Sequence, residues 1–307
     1  MNDRSKFLGG SDVAAVLGLS PWKTPVQLWL QKTGQVEYEE VDPARQRRFD
    51  RGHKLEPFII EMGIDKLREQ GHDVELIARN QRYIDQDYPF LACEIDAEIM
   101  VDGEPANVDA KSVHGFARNA WGDEDTDEIP IYYAAQFAFG MGITGRKRCY
   151  TFALIGLDDV AIYPLDHDAD TIADIRWRCI EFWEKCVIGG ERPEVLSYDD
   201  AGILWPKDDG TSVEATDDIA EAVADYDRLT YQRKQLDDLI DQRKIEIVEF
   251  MQPHATLTRA GKPIATWKSQ TASRLDQKGL RAAHPSICAD FTNITESRVF
   301  RIKRAKV

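Results

Sequence analysis

Asp96 stands in the apolar run 91–101, and thirteen residues later comes Asp109-Ala110-Lys111. Two carboxylates and an ammonium at that spacing could hold a hard divalent cation and hydrolyse a phosphodiester. The geometry follows from strand periodicity. Side chains alternate faces with period two, so Asp109 and Lys111 point one way and Ala110 the other. If the strand carrying Asp96 pairs with the next through a turn at Asp102-Gly103-Glu104-Pro105, both acids and the lysine reach one patch. Mg²⁺ takes oxygen ligands in near-octahedral geometry and keeps several waters. Asp96, Asp109 and the Ala110 carbonyl would therefore leave positions for a phosphate oxygen and an attacking water, which Lys111 would orient or help deprotonate. A structural ion pair uses the same residue types. The apolar setting of 108–111 favours chemistry, because buried charge is costly without a partner or a task.

These residues need elements to hold them. Apolar alternation predicts strands at 74–78, 81–84, 91–101 and 106–113, with an antiparallel meander as the simplest pairing. Before them, a short helix enters at Gly9-Gly10-Ser11 with Ser11 as N-cap, and a second starts at Thr24-Pro25 and stops at Gly34. Phe49, Leu55, Phe58, Ile59, Met62 and Leu67 recur at helical spacing over 46–69, and Glu56 lies on that helix. The acidic stretch 123–128 reads as a solvated loop. A helix is expected at 131–141, strands at 148–155 and 159–163, and a helix with a thick apolar face at 169–187. Helices beside a central mixed sheet make an α/β (α+β) core.

Composition narrows the function classes. The chain has 307 residues and a net charge of −15, against indiscriminate nucleic-acid binding, yet 251–307 holds eleven Lys or Arg against three acids, a balance of +8 that leaves −23 for the first 250 residues. Such a basic end could hold nucleic acid, dock on an acidic partner or aid solubility. Cys93, Cys149, Cys179, Cys186 and Cys288 are odd in number and scattered, against a disulfide framework, and no C-x-x-C pair points to zinc or an iron–sulfur cluster. No apolar run approaches the ~18 residues that span a bilayer, and the opening residues lack a secretory signal, so a cytoplasmic protein with no membrane partner is expected.

Four motifs in fixed order resemble a known family: Gly9-Gly10-Ser11-Asp12-Val13-Ala14-Ala15-Val16-Leu17-Gly18 with Ser20-Pro21-Trp22; Arg51-Gly52-His53-Lys54-Leu55-Glu56-Pro57; Asp96 with Asp109-Ala110-Lys111; and Tyr133-Ala134-Ala135-Gln136. They resemble the YqaJ-like viral recombinases, relatives of phage lambda exonuclease within the restriction-endonuclease-like nucleases. The resemblance implies a restriction-endonuclease-like core and a Mg²⁺-dependent exonuclease, with Mn²⁺ as substitute. That enzyme would digest one strand of linear double-stranded DNA 5′ to 3′ and leave a 3′ overhang for a phage single-strand annealing protein. It places metal ligands on Asp96, Asp109 and the Ala110 carbonyl, the catalytic lysine on Lys111, and Glu56 near a second metal or the attacking water. Gln136 and Tyr133 match the helix bordering the active site. Arg4 and Ser11, seven residues apart, match a pair that holds the terminal 5′ phosphate, and a ring-shaped homotrimer is implied as well. Two positions depart from the family pattern: Asp109 replaces the usual Glu, one methylene shorter, and Ala97 stands where Gly is common.

The expected organisation is a nuclease core over 1–197, a linker over 198–218, a charged amphipathic helix over 219–252 and a basic extension over 253–307. In that extension a hairpin is expected at 256–267 and a last strand at 300–306. Apolar residues at helical spacing on 219–252 suit packing on the core better than a coiled coil, since Arg233 and Arg243 interrupt a strict seam. Two rival functions use the same residues: a catalytically quiet DNA-binding scaffold of a phage recombination system, or another DNA-end-processing nuclease of the superfamily. Intact acids and lysine speak against the first, and the lack of grouped cysteines or a fused helicase against the second.

Overall fold

Strand pairing follows the apolar alternation. The computed structural model describes residues 4–36, 42–156, 159–294 and 296–303. Five strands, β1 (Val74–Ile84), β2 (Ala92–Val101), β3 (Glu104–Val113), β4 (Arg148–Ile155) and β5 (Val160–Asp166), form one sheet in the order β1-β2-β3-β4-β5. β1, β2 and β3 make the expected antiparallel meander, β4 runs parallel to β3, and β5 returns antiparallel to β4. A parallel step requires a crossover, and α4 (Ile131–Thr144) lies in it. The β2–β3 hairpin turns at Asp102-Gly103 with φ of 51° and 84°, the mirror-image turn that matches strand twist and favours Asp-Gly. The two strands expected at 74–78 and 81–84 are one: a bulge between Leu76 and Ala78, with Asn80 at φ 52°, bends β1 without ending it.

Helices cover both faces of the sheet. On α3 (Pro43–Glu69), Ile59, Ile60, Ile64 and Leu67 pack with Ala97, Ile99, Val108 and Phe152. Gly63 permits this approach, since a Cβ there would lie 2.3 Å from the Phe152 ring. The second cluster joins α1 (Gly10–Val16), α2 (Pro25–Lys32), α4 and α5 (Ala169–Glu181) through Val13, Leu28, Phe137, Met141 and Ile172, packed with Cys93 and Cys149. α2 begins as expected, Thr24 and Gln27 forming a reciprocal capping box. α1 does not: Gly9 is its N-cap and Ser11 lies inside it, because Asp12, three residues on, accepts from the Gly9 N–H. The helix expected over 169–187 ends as α5 at Glu181 and continues as a π-helical stretch, Phe182–Ile188.

Two expected loops are pinned instead. In the acidic stretch, Glu124 pairs with Lys66 at 2.6 Å and the Asp125 N–H donates to the Ile162 carbonyl at 2.9 Å. The linker expected from 198 opens with α6 (Tyr198–Leu204), whose Asp200 is fully buried and accepts from Thr24 Oγ1 at 2.6 Å. Met1–Leu204 accordingly forms one unit and Trp205–Val307 a second. The second holds α7 (Asp217–Met251), a hairpin of β6 (Thr256–Arg259) and β7 (Lys262–Thr266), and two short helices, α8 (Gln277–Ala283) and α9 (Pro285–Asp290), that no apolar periodicity announces. The strand expected at 300–306 does not form over 300–303, where Phe300 instead meets the Tyr226 ring edge-on, and 304–306 lie outside the described residues.

Candidate active site

The site sits where a ladder stops. β2 and β3 pair from Val101↔Glu104 to Ala97↔Val108, and one further step of that register would set Asp96 across from Asp109. The backbone pairing does not continue. Asp96 Oδ2 instead accepts from the Ala110 N–H at 2.9 Å, a side chain replacing a strand. In an extended strand a residue's N–H and C=O face the same strand edge, so the Ala110 carbonyl faces the β2 edge, as its N–H does.

Around Asp109 the other predicted residues gather. Asp109 is buried, its Oδ1 ion-paired with Lys111 and its Oδ2 accepting from Gln136 Nε2 at 3.3 Å. Asp109 and Lys111 thus share a side, as strand periodicity requires. The Lys111 ammonium lies over the rings of Tyr133 at 5.0 Å and Phe137 at 5.4 Å, both from α4. Gly10 leaves room for Gln136 in this contact, since a Cβ there would come within 3.2 Å of Gln136 Cγ.

These charges act on one another. Burial raises the Asp109 carboxyl well above the usual carboxylate range; Lys111 opposes the shift, while Asp96 and Glu56 add to it. Burial and then Asp96 raise Glu56, with His53, Lys111 and Arg79 opposing. Burial alone would lower the Lys111 ammonium, but Asp109 and Asp96 outweigh it and hold the lysine protonated. Glu56, half-buried on α3, is therefore within electrostatic reach of the acids on β2 and β3. Three carboxylates against one lysine is a surplus of negative charge on hard oxygen donors, the chemistry Mg²⁺ takes. Among the described residues no three His, Cys, Asp or Glu side chains close a ligand shell by themselves; Mg²⁺ needs only one or two carboxylates and fills the rest with water and substrate.

Arg4 and Ser11 meet each other. Arg4 Nη2 donates to Ser11 Oγ at 2.7 Å, and both residues are exposed. They adjoin the acid group through Gly10 and Gln136. With that geometry in place, the decisive comparison is that residues 1–147 match the model of the YqaJ-like viral recombinase domain. This stretch is similar to that domain. Over 98% of this chain and 92% of the other, the sequence is 27% identical to the YqaJ protein of Bacillus subtilis strain 168. Among solved structures, the alkaline exonuclease LHK-Exo from Laribacter hongkongensis is 15% identical over 61% of this chain and 90% of that one, with a TM-score of 0.44. A phage related exonuclease from Haemophilus somnus 129PT is 11% identical over 60% and 96%, with a TM-score of 0.40.

All four motifs read from the sequence fall inside this matched stretch, and its first helix pair contains residues to which the sequence alone does not point. Lys32 and Asp12 form a buried ion pair at 2.8 Å behind Arg4. Lys32 reads in sequence as a favourable cation in a last helical turn, and only its depth distinguishes it. Lys23 is half-buried; desolvation lowers its ammonium pKa, Asp12 opposes, and Lys32, Arg4 and Arg45 lower it further. Positive charge is thus concentrated beside Arg4.

Proposed function

We propose that the chain is a recombination exonuclease of phage type, removing one strand of linear double-stranded DNA 5′ to 3′ and leaving 3′ overhangs for a single-strand annealing protein. The observation that carries this reading is the interrupted β2–β3 ladder, past whose last rung Asp96 accepts from the Ala110 N–H, next along β3 to Asp109, which is ion-paired with Lys111. The match of 1–147 to a viral recombinase domain supports it. Asp96, Asp109 and the Ala110 carbonyl would hold Mg²⁺ or Mn²⁺, with Glu56 completing the shell. When bound, the ion neutralises charge at the scissile phosphate and lowers the pKa of a water.

The chain's own groups do the positioning. Lys111, kept protonated by the acids around it, orients a water and a phosphate oxygen for in-line attack and stabilises the charge that develops, in place of taking a proton. Gln136 fixes the plane of the Asp109 carboxylate by holding its second oxygen. Tyr133 and Phe137 set the height of the ammonium and keep bulk water from it. Arg4 and Ser11 offer a guanidinium and a hydroxyl to a terminal 5′ phosphate, in a neighbourhood that Lys23 and Arg45 make more positive. A homotrimer enclosing the duplex belongs to the same proposal.

The test is digestion of linear duplex DNA labelled at either end, with and without Mg²⁺ or Mn²⁺, comparing 5′-phosphate and 5′-hydroxyl termini. Release of nucleotides from phosphorylated 5′ ends, strongly reduced in Lys111→Ala, is the expected result. Folded protein that digests neither end with either ion overturns the proposal in favour of a DNA-binding scaffold.

A further inference from the structure

The arm that carries Arg4 is pinned along its length. At Leu8 it bridges to the start of β2, the Leu8 N–H donating to the Phe90 carbonyl at 2.7 Å and the Ala92 N–H to the Leu8 carbonyl at 3.0 Å. Lys32, the last residue of α2, spends its ammonium on the same arm. Its Nζ donates to the carbonyls of Arg4 and Phe7, each at 2.7 Å, and to Asp12 Oδ2 at 2.8 Å. Asp12 Oδ2 also accepts from the Gly9 N–H at 3.2 Å. The side chains of Lys32 and Asp12 are 1% and 5% exposed. α2 is a firm anchor for them, with Val26 and Leu28 fully buried and Trp29 Nε1 donating to the Cys186 carbonyl at 2.9 Å.

Taking an ammonium and a carboxylate out of water costs several kcal/mol per ion, and an apolar pair of similar volume is often as stable or more so. Stability alone therefore explains this pair poorly. Its geometry is informative: one cation ties together the backbone of Arg4, the backbone of Phe7 and the acid that caps α1. We propose that Lys32 and Asp12 are positioning residues that lock the Arg4–Ser11 pair at a fixed distance from the metal-binding acids. The proposal rests on the reading of Arg4 and Ser11 as the 5′-phosphate site. From Ser11 the path continues through Gly10, packed against Gln136, to Asp109, which Gln136 holds. A terminal phosphate seated on Arg4 and Ser11 then presents a fixed bond to the acids, which makes end recognition part of the cleavage geometry.

Full-length wild type, Lys32→Met and Lys32→Met/Asp12→Leu are given linear duplex DNA with Mg²⁺, carrying either a 5′-phosphate or a 5′-hydroxyl, and kcat and KM are measured for each end. The ratio of the two kcat/KM values does not depend on how much of the enzyme is folded, since unfolding scales both alike. Wild type is expected to prefer phosphorylated ends by roughly tenfold or more. Both variants are expected to lose that preference, with the loss appearing as a lower kcat for phosphorylated ends more than as a higher KM. The double variant removes both buried charges together, so it folds even if the single variant, which leaves an acid uncompensated, does not. Full wild-type preference in the folded double variant overturns the inference and leaves the end site standing. Wild type that digests both ends equally overturns the Arg4–Ser11 reading, wild type that digests neither overturns the nuclease reading, and either result takes the inference with it.

Discussion

Lys111 separates a catalytic from a structural ion pair. Lys111→Ala is expected to lower hydrolysis by about 10² to 10³-fold, the range seen when one donor to developing charge is removed. Asp109 can take up a proton once its partner is gone, because burial already raises its carboxyl, so thermal unfolding should move little; a large fall in Tm with residual hydrolysis would mark the pair as structural. Gln136→Leu keeps the packing against Gly10 and removes the hydrogen bond to Asp109; about a tenfold fall in kcat is expected with KM nearly constant. Asp96, Asp109 and Lys111 were legible as a group because strand period and turn chemistry are local. Lys32 was not, because nothing in Val26-Gln27-Leu28-Trp29-Leu30-Gln31-Lys32 says which end of the helix is covered.

Among the elements, α3 and the sheet set where Glu56 lies. Gly63→Ala puts a methyl group 2.3 Å from the Phe152 ring, so α3 must lift; a loss of about 1–3 kcal/mol in urea unfolding is expected, together with lower activity as Glu56 moves. The far end of β1 is tied to α5 by Asp85, which takes two hydrogen bonds of 2.8 Å from Arg176. Burial alone would raise the Asp85 pKa, but Arg176 and the N–H groups of Tyr88 and Asp87 outweigh it and hold the carboxyl below its ordinary value. A depressed acid contributes stability that is present above its unfolded pKa, about 4, and is lost as pH falls through the folded value. Wild-type Tm should therefore drop on acidification below about pH 4. Arg176→Met should lose about 2 kcal/mol at neutral pH and show a shallower acid limb. An unchanged acid limb in the variant would sink this account.

For the whole molecule, each buried hydrophobic cluster among the described residues lies within Met1–Leu204. A fragment ending at Leu204 is expected to unfold in one cooperative transition and to retain Mg²⁺-dependent hydrolysis. It also loses the eleven Lys and Arg of 251–307, together with a balance of −7 over 205–250 that leaves the net charge almost unchanged. Each cation that neutralises a duplex phosphate adds about 0.9 to the magnitude of the salt slope of log K, so the fragment should show a shallower slope than the full chain. An identical slope would assign the basic end to a protein partner or to solubility.

The sequence by itself determined what is local: the strand period that puts Asp109 and Lys111 on one side, the Asp102-Gly103 turn, the Thr24 cap and the apolar stripe of α3. It misplaced the cap of α1 and the end of the core, since Gly9 and α6 take their places from Asp12 and Thr24, partners chosen by packing. Only the tertiary structure decided that the β2–β3 ladder stops at Ala97, that Gln136 reaches Asp109 and that Lys32 lies buried behind Arg4. The physical reason is that burial and convergence depend on contacts between residues far apart in the chain, which neither periodicity nor propensity encodes.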